Sequence, residues 1–217
     1  MLLVVGAGTG AGMDVVVRRL PVRAGTEGPA PPPRWRRPAM VVAVAGLFAG
    51  ATLRFGADWA LPAYLVLFAA LVAICAVDLE RRIIPTRLVY GALVAALPLL
   101  AAASLAAGEP GRFVRALLGA SVAWAALLAL HLIAPGAMGF GDVRLAFLLG
   151  LFLGWLGWGQ VMLGMFAGFL FGAVIGAGLM ATGLRGRKDA LPFAPFLSAG
   201  TAVVIFAGGP LLRLLPH

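Results

Sequence analysis

The sequence predicts an all-α protein, a polytopic membrane bundle of about eight transmembrane helices. Three observations lead there. Of the 217 residues, 62% are hydrophobic and only 12% charged, with a mean hydropathy of +1.03; a soluble domain of this length needs far more surface charge. Several apolar runs approach or exceed about 18 residues, the length that crosses a bilayer. The charged residues cluster between those runs, and lipid permits little but helices for such segments.

The first element, residues 1 to 17 (MLLVVGAGTGAGMDVVV), is short, glycine-rich and carries Asp14. No basic residue precedes its apolar stretch, so it lacks the n-region of a secretory signal and reads as a first, weakly hydrophobic span. Its GAGTGAG passes for a nucleotide-binding loop, but no βαβ pattern surrounds it. RRLPVRAGTEGPAPPPRWRRP follows as a water-exposed loop rich in proline and arginine. Residues 1–38 therefore form one unit, span plus loop, and 39–217 the transmembrane body. Further spans are expected near 39–56, 60–78, 87–107, 113–134, 143–158, 160–183 and 193–212, with a tight turn at the glycines around 154–159. GMFAGFLFGAVIGAG, from Gly164, spaces small residues for close helix packing. His131 reads as packed within the fifth span, and Trp155 and Trp158 as interfacial aromatics.

The net charge of +9 does not point to nucleic acid, because no folded basic domain or stacking platform accompanies it. Of the 17 basic residues, all but Arg54, Arg112, Arg115 and Arg213 fall in the segments 18–38, 79–87, 135–144 and 184–191. That asymmetry places these segments in the cytoplasm and the N-terminus outside. The single cysteine, Cys75, excludes an intramolecular disulfide and any zinc site built on cysteine pairs. It reads as a small buried hydrophobe.

Two aspartates then share one membrane face. Asp78 ends the third span, in LVAICAVDLERRIIP, and Asp142 opens the sixth, in MGFGDVRLAF. Ionisable groups within membrane segments are costly and usually functional. Asp142 has a plain alternative as a helix cap. Asp78 does not, since a helix C-terminus disfavours negative charge; its plain alternative is pairing with Arg81 or Arg82. Facing each other, one carboxylate can take a proton from water while the other gives one to a scissile carbonyl. The helix ends favour charge on Asp142 over Asp78, so Asp142 is expected to be the base and Asp78 the acid. Gly139 and Gly141, flanking Phe140, are expected to take backbone angles closed to other residues and to admit an extended substrate strand.

GFGDVRL resembles the GxGDxKL segment of the type IV prepilin peptidases, membrane aspartyl proteases of the GxGD class, with Arg144 where lysine is usual. DLERRIIPTRL is similar to their first aspartate motif, which includes an Ile-Pro. LPFAPFLSAG, from Leu191, is similar to their FGPFLA segment, with Ala194 replacing a glycine. The likeness covers about residues 60 to 210. It implies Asp78 and Asp142 as catalytic residues, Gly139, Phe140 and Gly141 as the active-site loop, and Pro85, Arg144 and Pro195 as support for the loop or substrate channel. No metal or cofactor is implied. The implied partners are type IV prepilin or pseudopilin precursors with short basic leaders, cut at the cytoplasmic face of the inner membrane; membrane lipid surrounds the bundle, and a homo-oligomer is compatible with it. GAGTGAGMDVVVRRLP, from Gly6, resembles the start of the bifunctional members, which also N-methylate the cut pilin. Their cytoplasmic domain with two CxxC pairs is reduced here to a cysteine-free loop. The expectation is a peptidase alone.

The basic cytoplasmic face would not attract a basic leader, so recognition is expected to rest on the pilin's apolar helix; Arg81, Arg82 and Arg144 are left to meet an acidic residue within that helix or lipid headgroups, the second being the preferred reading. The rival from another class is a proton- or cation-coupled transporter using the two aspartates. No deeper acidic residue completes a path in the later spans, and no inverted repeat is evident. A catalytically inert membrane scaffold is a third reading, but it requires neither the glycine turn nor paired acids.

Overall fold

In the computed structural model, residue 9 and residues 36–135, 138–183 and 191–213 are described. Seven helices occupy them: α1 (Arg36–Phe55), α2 (Leu61–Arg81), α3 (Thr86–Ala106), α4 (Pro110–Ile133), α5 (Phe140–Leu156), α6 (Trp158–Ala181) and α7 (Ala194–Arg213). They match the last seven expected spans. The expected first span and most of the Pro/Arg-rich loop lie outside the described residues. Five of the seven helices, α1 to α4 and α6, are long and apolar enough to cross a membrane. The protein is a polytopic helical membrane bundle.

Its outward faces are apolar. Leu53, Val94 and Ile133 are 89%, 73% and 80% exposed, a pattern that suits lipid rather than water. α5 is the buried centre: at 17 residues it is about 25 Å long, and Leu145, Leu148, Leu149, Phe152 and Leu153 on it are fully enclosed. It packs against α3, α4, α6 and α7. The α4–α5 seam is a close one, and glycine makes it so. A Cβ on Gly150 would lie 2.6 Å from the Gly119 carbonyl oxygen and 2.7 Å from Ala123 Cβ, and one on Gly154 would lie 2.8 Å from the Arg115 carbonyl oxygen. Gly150→Leu therefore has to push two helices apart, and we expect it to destabilise the fold by at least about 1–3 kcal/mol. Detergent-solubilised Gly150→Leu should unfold at lower temperature than wild type, or fail to accumulate in membranes. The glycines of α6 act likewise toward α7: a Cβ on Gly168 would meet Leu197 Cα at 3.0 Å, and one on Gly172 would meet Phe193 at 2.7 Å. This is the close packing expected from their spacing.

The turn between α5 and α6 is a single residue, Gly157, at φ +154°, a backbone region that L side chains rarely adopt. Just before it, Arg115 on α4 donates from Nε and Nη2 to the carbonyls of Gly154 and Trp155, both at 2.9 Å. It closes the α5 C-terminus, where carbonyls have no partner within the helix. This gives one of the four minority arginines a structural task. Trp155 corrects the expectation of two interfacial aromatics: it is buried in the core, and only Trp158 is exposed. At the same end, Tyr64 of α2 donates to the Phe152 carbonyl at 2.9 Å and stacks on Phe55 at 4.2 Å, fastening α1, α2 and α5 together.

Candidate active site

Successive helices alternate direction, so the C-terminus of α2 and the N-terminus of α5 lie at one end of the bundle. Asp78 stands three residues before the end of α2, and Asp142 is the third residue of α5. Both are buried, at 4% and 7% exposure. They lie within coulombic reach of each other. Asp142 and Asp78 are the only buried acidic side chains among the described residues.

The plain reading of Asp142 as a cap is half right. Its Oδ2 accepts the Gly139 N–H at 3.1 Å, closing the first turn of α5 from the third helical position. Its Oδ1 is buried with no hydrogen-bond partner among the described residues. Asp78 is held in the same way, its Oδ2 accepting the Ala194 N–H at 3.1 Å from the first residue of α7. No described residue forms an ion pair with Asp78, so pairing with Arg81 or Arg82 does not explain it. Each carboxylate thus spends one oxygen on a backbone N–H that fixes its position.

The glycines of the turn correct an expectation. Gly139 sits at φ −76°, ψ 149°, and neither Gly139 nor Gly141 has a positive φ. What Gly141 supplies is clearance: a Cβ there would lie 2.9 Å from Ile84 Cβ. Its helix thereby presses onto the segment linking α2 to α3. A Cβ on Gly139 would meet only Asp142 Oδ2, at an ordinary 3.5 Å.

A second tie joins the same two segments. Arg144 donates from Nη1 to Thr86 Oγ1 at 2.7 Å, while its guanidinium lies over the exposed Phe140 ring at 4.7 Å. Arg144 was expected to meet lipid headgroups; instead it clamps the start of α3 to the first turns of α5. Pro85, beside Thr86, is the N-cap residue of α3 and ends the linking segment. Pro195 follows Ala194, and so stands next to the N–H that holds Asp78. His131 is packed as expected: its Nδ1 lies 3.0 Å from the Met138 carbonyl, tying the end of α4 to the approach to α5. Replacing Arg144 by Ala removes a hydrogen bond to a charged group, worth about 1.5–3 kcal/mol. We expect detergent-solubilised Arg144→Ala to unfold at lower temperature than wild type, and Arg144→Lys, which keeps a donor for Thr86, to lose less. Sequence reasoning missed Ile84, Thr86 and the Ala194 N–H. The DLERRIIPTRL and LPFAPF segments hold all three, but their likeness to known motifs does not say which atom touches which.

Two buried, backbone-anchored carboxylates at one end of a membrane bundle define an intramembrane acid pair. The chain belongs to the type IV leader peptidase family, which it matches over residues 65–177. It is 31% identical over 175 residues to a Prepilin leader peptidase/N-methyltransferase of Bacillus subtilis, covering 81% of this chain and 67% of that protein. It is 37% identical over 189 residues to a protein of the same name from Burkholderia pseudomallei, covering 83% of this chain and 57% of the relative. An Aeromonas hydrophila protein of that name is 27% identical over 180 residues, covering 82% of this chain and 60% of that protein. The chain thus spans roughly three fifths to two thirds of these relatives' lengths. No solved structure matches it significantly.

Proposed function

We propose that this chain is an aspartyl endopeptidase that removes the short basic leader from type IV prepilin or pseudopilin precursors, cutting at the cytoplasmic face of the inner membrane. The observation that carries the proposal is the pair itself: Asp78 and Asp142 come from segments far apart in sequence, are each held by one backbone N–H, and leave Asp142 Oδ1 without a partner. In the reaction one carboxylate accepts a proton from a water molecule as its oxygen attacks the scissile carbonyl, and the other donates a proton to the carbonyl oxygen. Collapse of the tetrahedral intermediate then sends a proton to the leaving amine. A burial that excludes bulk water strengthens both steps electrostatically. Residues 39–217 form the peptidase body in this reading, and the N-terminus lies outside the cell.

The hydrogen bonding treats the two aspartates alike, so assigning Asp142 as base rests on its helix N-terminus alone. The pair titrates as a unit. Site-resolved infrared titration tests the assignment: Asp142 protonated while Asp78 is ionised would reverse the roles. A proton-relay transporter finds less support, because no third buried acid among the described residues leads away from the pair.

The relatives' name couples peptidase to N-methyltransferase. We assign only the first activity here, because the segment 18–38 contains no cysteine. Co-expression with the host's prepilin candidates, followed by mass spectrometry of the pilin N-terminus, tests both parts. The expected product is a leaderless, unmethylated pilin. A methylated product with this enzyme as sole candidate would overturn the assignment, and an intact precursor in every case would overturn the peptidase.

A further inference from the structure

An apolar trough of about 350 Å³ runs down the outside of the bundle between α1, α2 and α7. On α2 it extends from Glu80, level with the aspartate pair, to Phe68, about 18 Å of helix axis. At that end Arg36 and Glu80 neutralise each other in an ion pair at 2.9 Å, and apart from Cys75 and Ser198 the rest of the lining is apolar. Its walls include Ala43, Ala76 and Ala199, small residues that let a second helix backbone come close. The volume is too small to enclose a helix but takes one face of one.

Two features set this trough apart from a lipid-filled crease. It abuts the catalytic end: Cys75 and Leu79, one turn before and one residue after Asp78, line it, as does Pro195, next to the residue whose N–H holds Asp78. It also contains an unmet polar group. Ser198, one turn deeper than Ala194 on α7, is 6% exposed; its Oγ lies near the Cys75 thiol but makes no hydrogen bond among the described residues. An acyl chain offers nothing to that hydroxyl. The first turn of an incoming helix does, because its backbone N–H groups lack partners within the helix.

We propose that this trough is the docking site for the apolar helix of the prepilin, with the Ser198 hydroxyl, enclosed in this structure, rotating about its Cα–Cβ bond to accept a backbone N–H from the first turn of that helix. The proposal rests on the peptidase reading above. It places the helix along α2 with its N-terminal end at Asp78, where the chain leaves the helix and the scissile bond begins. Cys75, expected from the sequence to be an inert buried residue, is instead only half buried and faces the trough.

Because Cys75 is the only cysteine in the chain, it reports on occupancy directly. Full-length protein carrying Asp142→Asn, expected to leave the precursor uncut, is co-expressed with prepilins bearing single cysteines along the apolar helix, and membranes are oxidised. Disulfide adducts are expected at prepilin positions three or four residues apart, lost with Cys75→Ala and absent when the cysteine is moved to Val94→Cys on the exposed face of α3. In otherwise wild-type protein, Ala199→Trp, which fills the trough, is expected to raise KM at least about 10-fold with kcat little changed. Ser198→Ala is expected to raise it about 2–10-fold. Adducts equally strong at Val94→Cys, or no adduct at Cys75 together with normal cleavage by Ala199→Trp, would overturn the docking site while leaving the peptidase intact. A wild-type protein that cleaves none of the prepilins overturns the peptidase, and the docking site falls with it. Adducts whose yield is indifferent to position along the prepilin helix would assign the trough to lipid instead.

Discussion

Asp78→Asn and Asp142→Asn are each expected to reduce prepilin processing by about 10²–10⁴-fold or more, the range of a positioned proton-transfer group. Asparagine keeps the size of the side chain and an oxygen that can accept from the Ala194 or Gly139 N–H, so the anchoring hydrogen bonds survive. What is lost is the exchangeable proton. Both variants should therefore accumulate in membranes like wild type. The double variant should be hardly slower than either single one, because residues acting as one unit give strongly non-additive losses. Initial rates of precursor conversion on gels, normalised to enzyme in the membrane, check all three statements. Independent, multiplicative losses would mean that the two carboxylates do not share a step.

The second large effect is expected from a residue with no reactive group. Gly141→Val should cut processing by about 10²-fold or more, while Gly139→Ala should change it little. The contrast follows from clearances. A side chain at Gly141 collides with Ile84 Cβ, an atom close to the backbone that cannot swing aside. The start of α5 must then retreat from the α2–α3 segment and carry Asp142 with it, and a displacement of about 1 Å can cost about 10²-fold in rate. At Gly139 the added methyl meets only ordinary contact, in a backbone conformation open to any residue. Side-by-side rates for Gly141→Val and Gly139→Ala measure this. A Gly139→Ala enzyme as impaired as Gly141→Val would restore the view that the turn needs glycine for its backbone angles.

The helical bundle was legible in the sequence because lipid imposes one rule on every span: about twenty apolar residues, closed by charge or a turn. The seven helices between Arg36 and Arg213 lie where their hydropathy puts them. The two aspartates were legible for a related reason, since a carboxylate in an apolar segment is expensive and therefore conspicuous. Contacts between segments were not. Nothing in the spacing of MGFGDVRL says that Gly141 is there for Ile84, that Arg144 reaches Thr86, or that Ala194, 116 residues beyond Asp78, supplies its N–H. These depend on which helices become neighbours, and hydropathy is blind to that. Gly150 and Gly154, four residues apart on α5, offered a small-residue signal for the α4–α5 seam that passed unread beside the longer glycine run of α6. Trp155 shows the opposite error: a general preference of tryptophan for interfaces gave way to a local space in the core.

The central claim is that Asp78 and Asp142 together cut a prepilin. Its most direct measurement is cleavage of one purified prepilin by wild-type protein and by Asp142→Asn, each reconstituted in the same lipid nanodiscs and matched for helix content by circular dichroism. Wild type is predicted to convert the precursor to the leaderless form, with the variant showing no conversion over the same period. Conversion by the folded Asp142→Asn protein at the wild-type rate would contradict the claim.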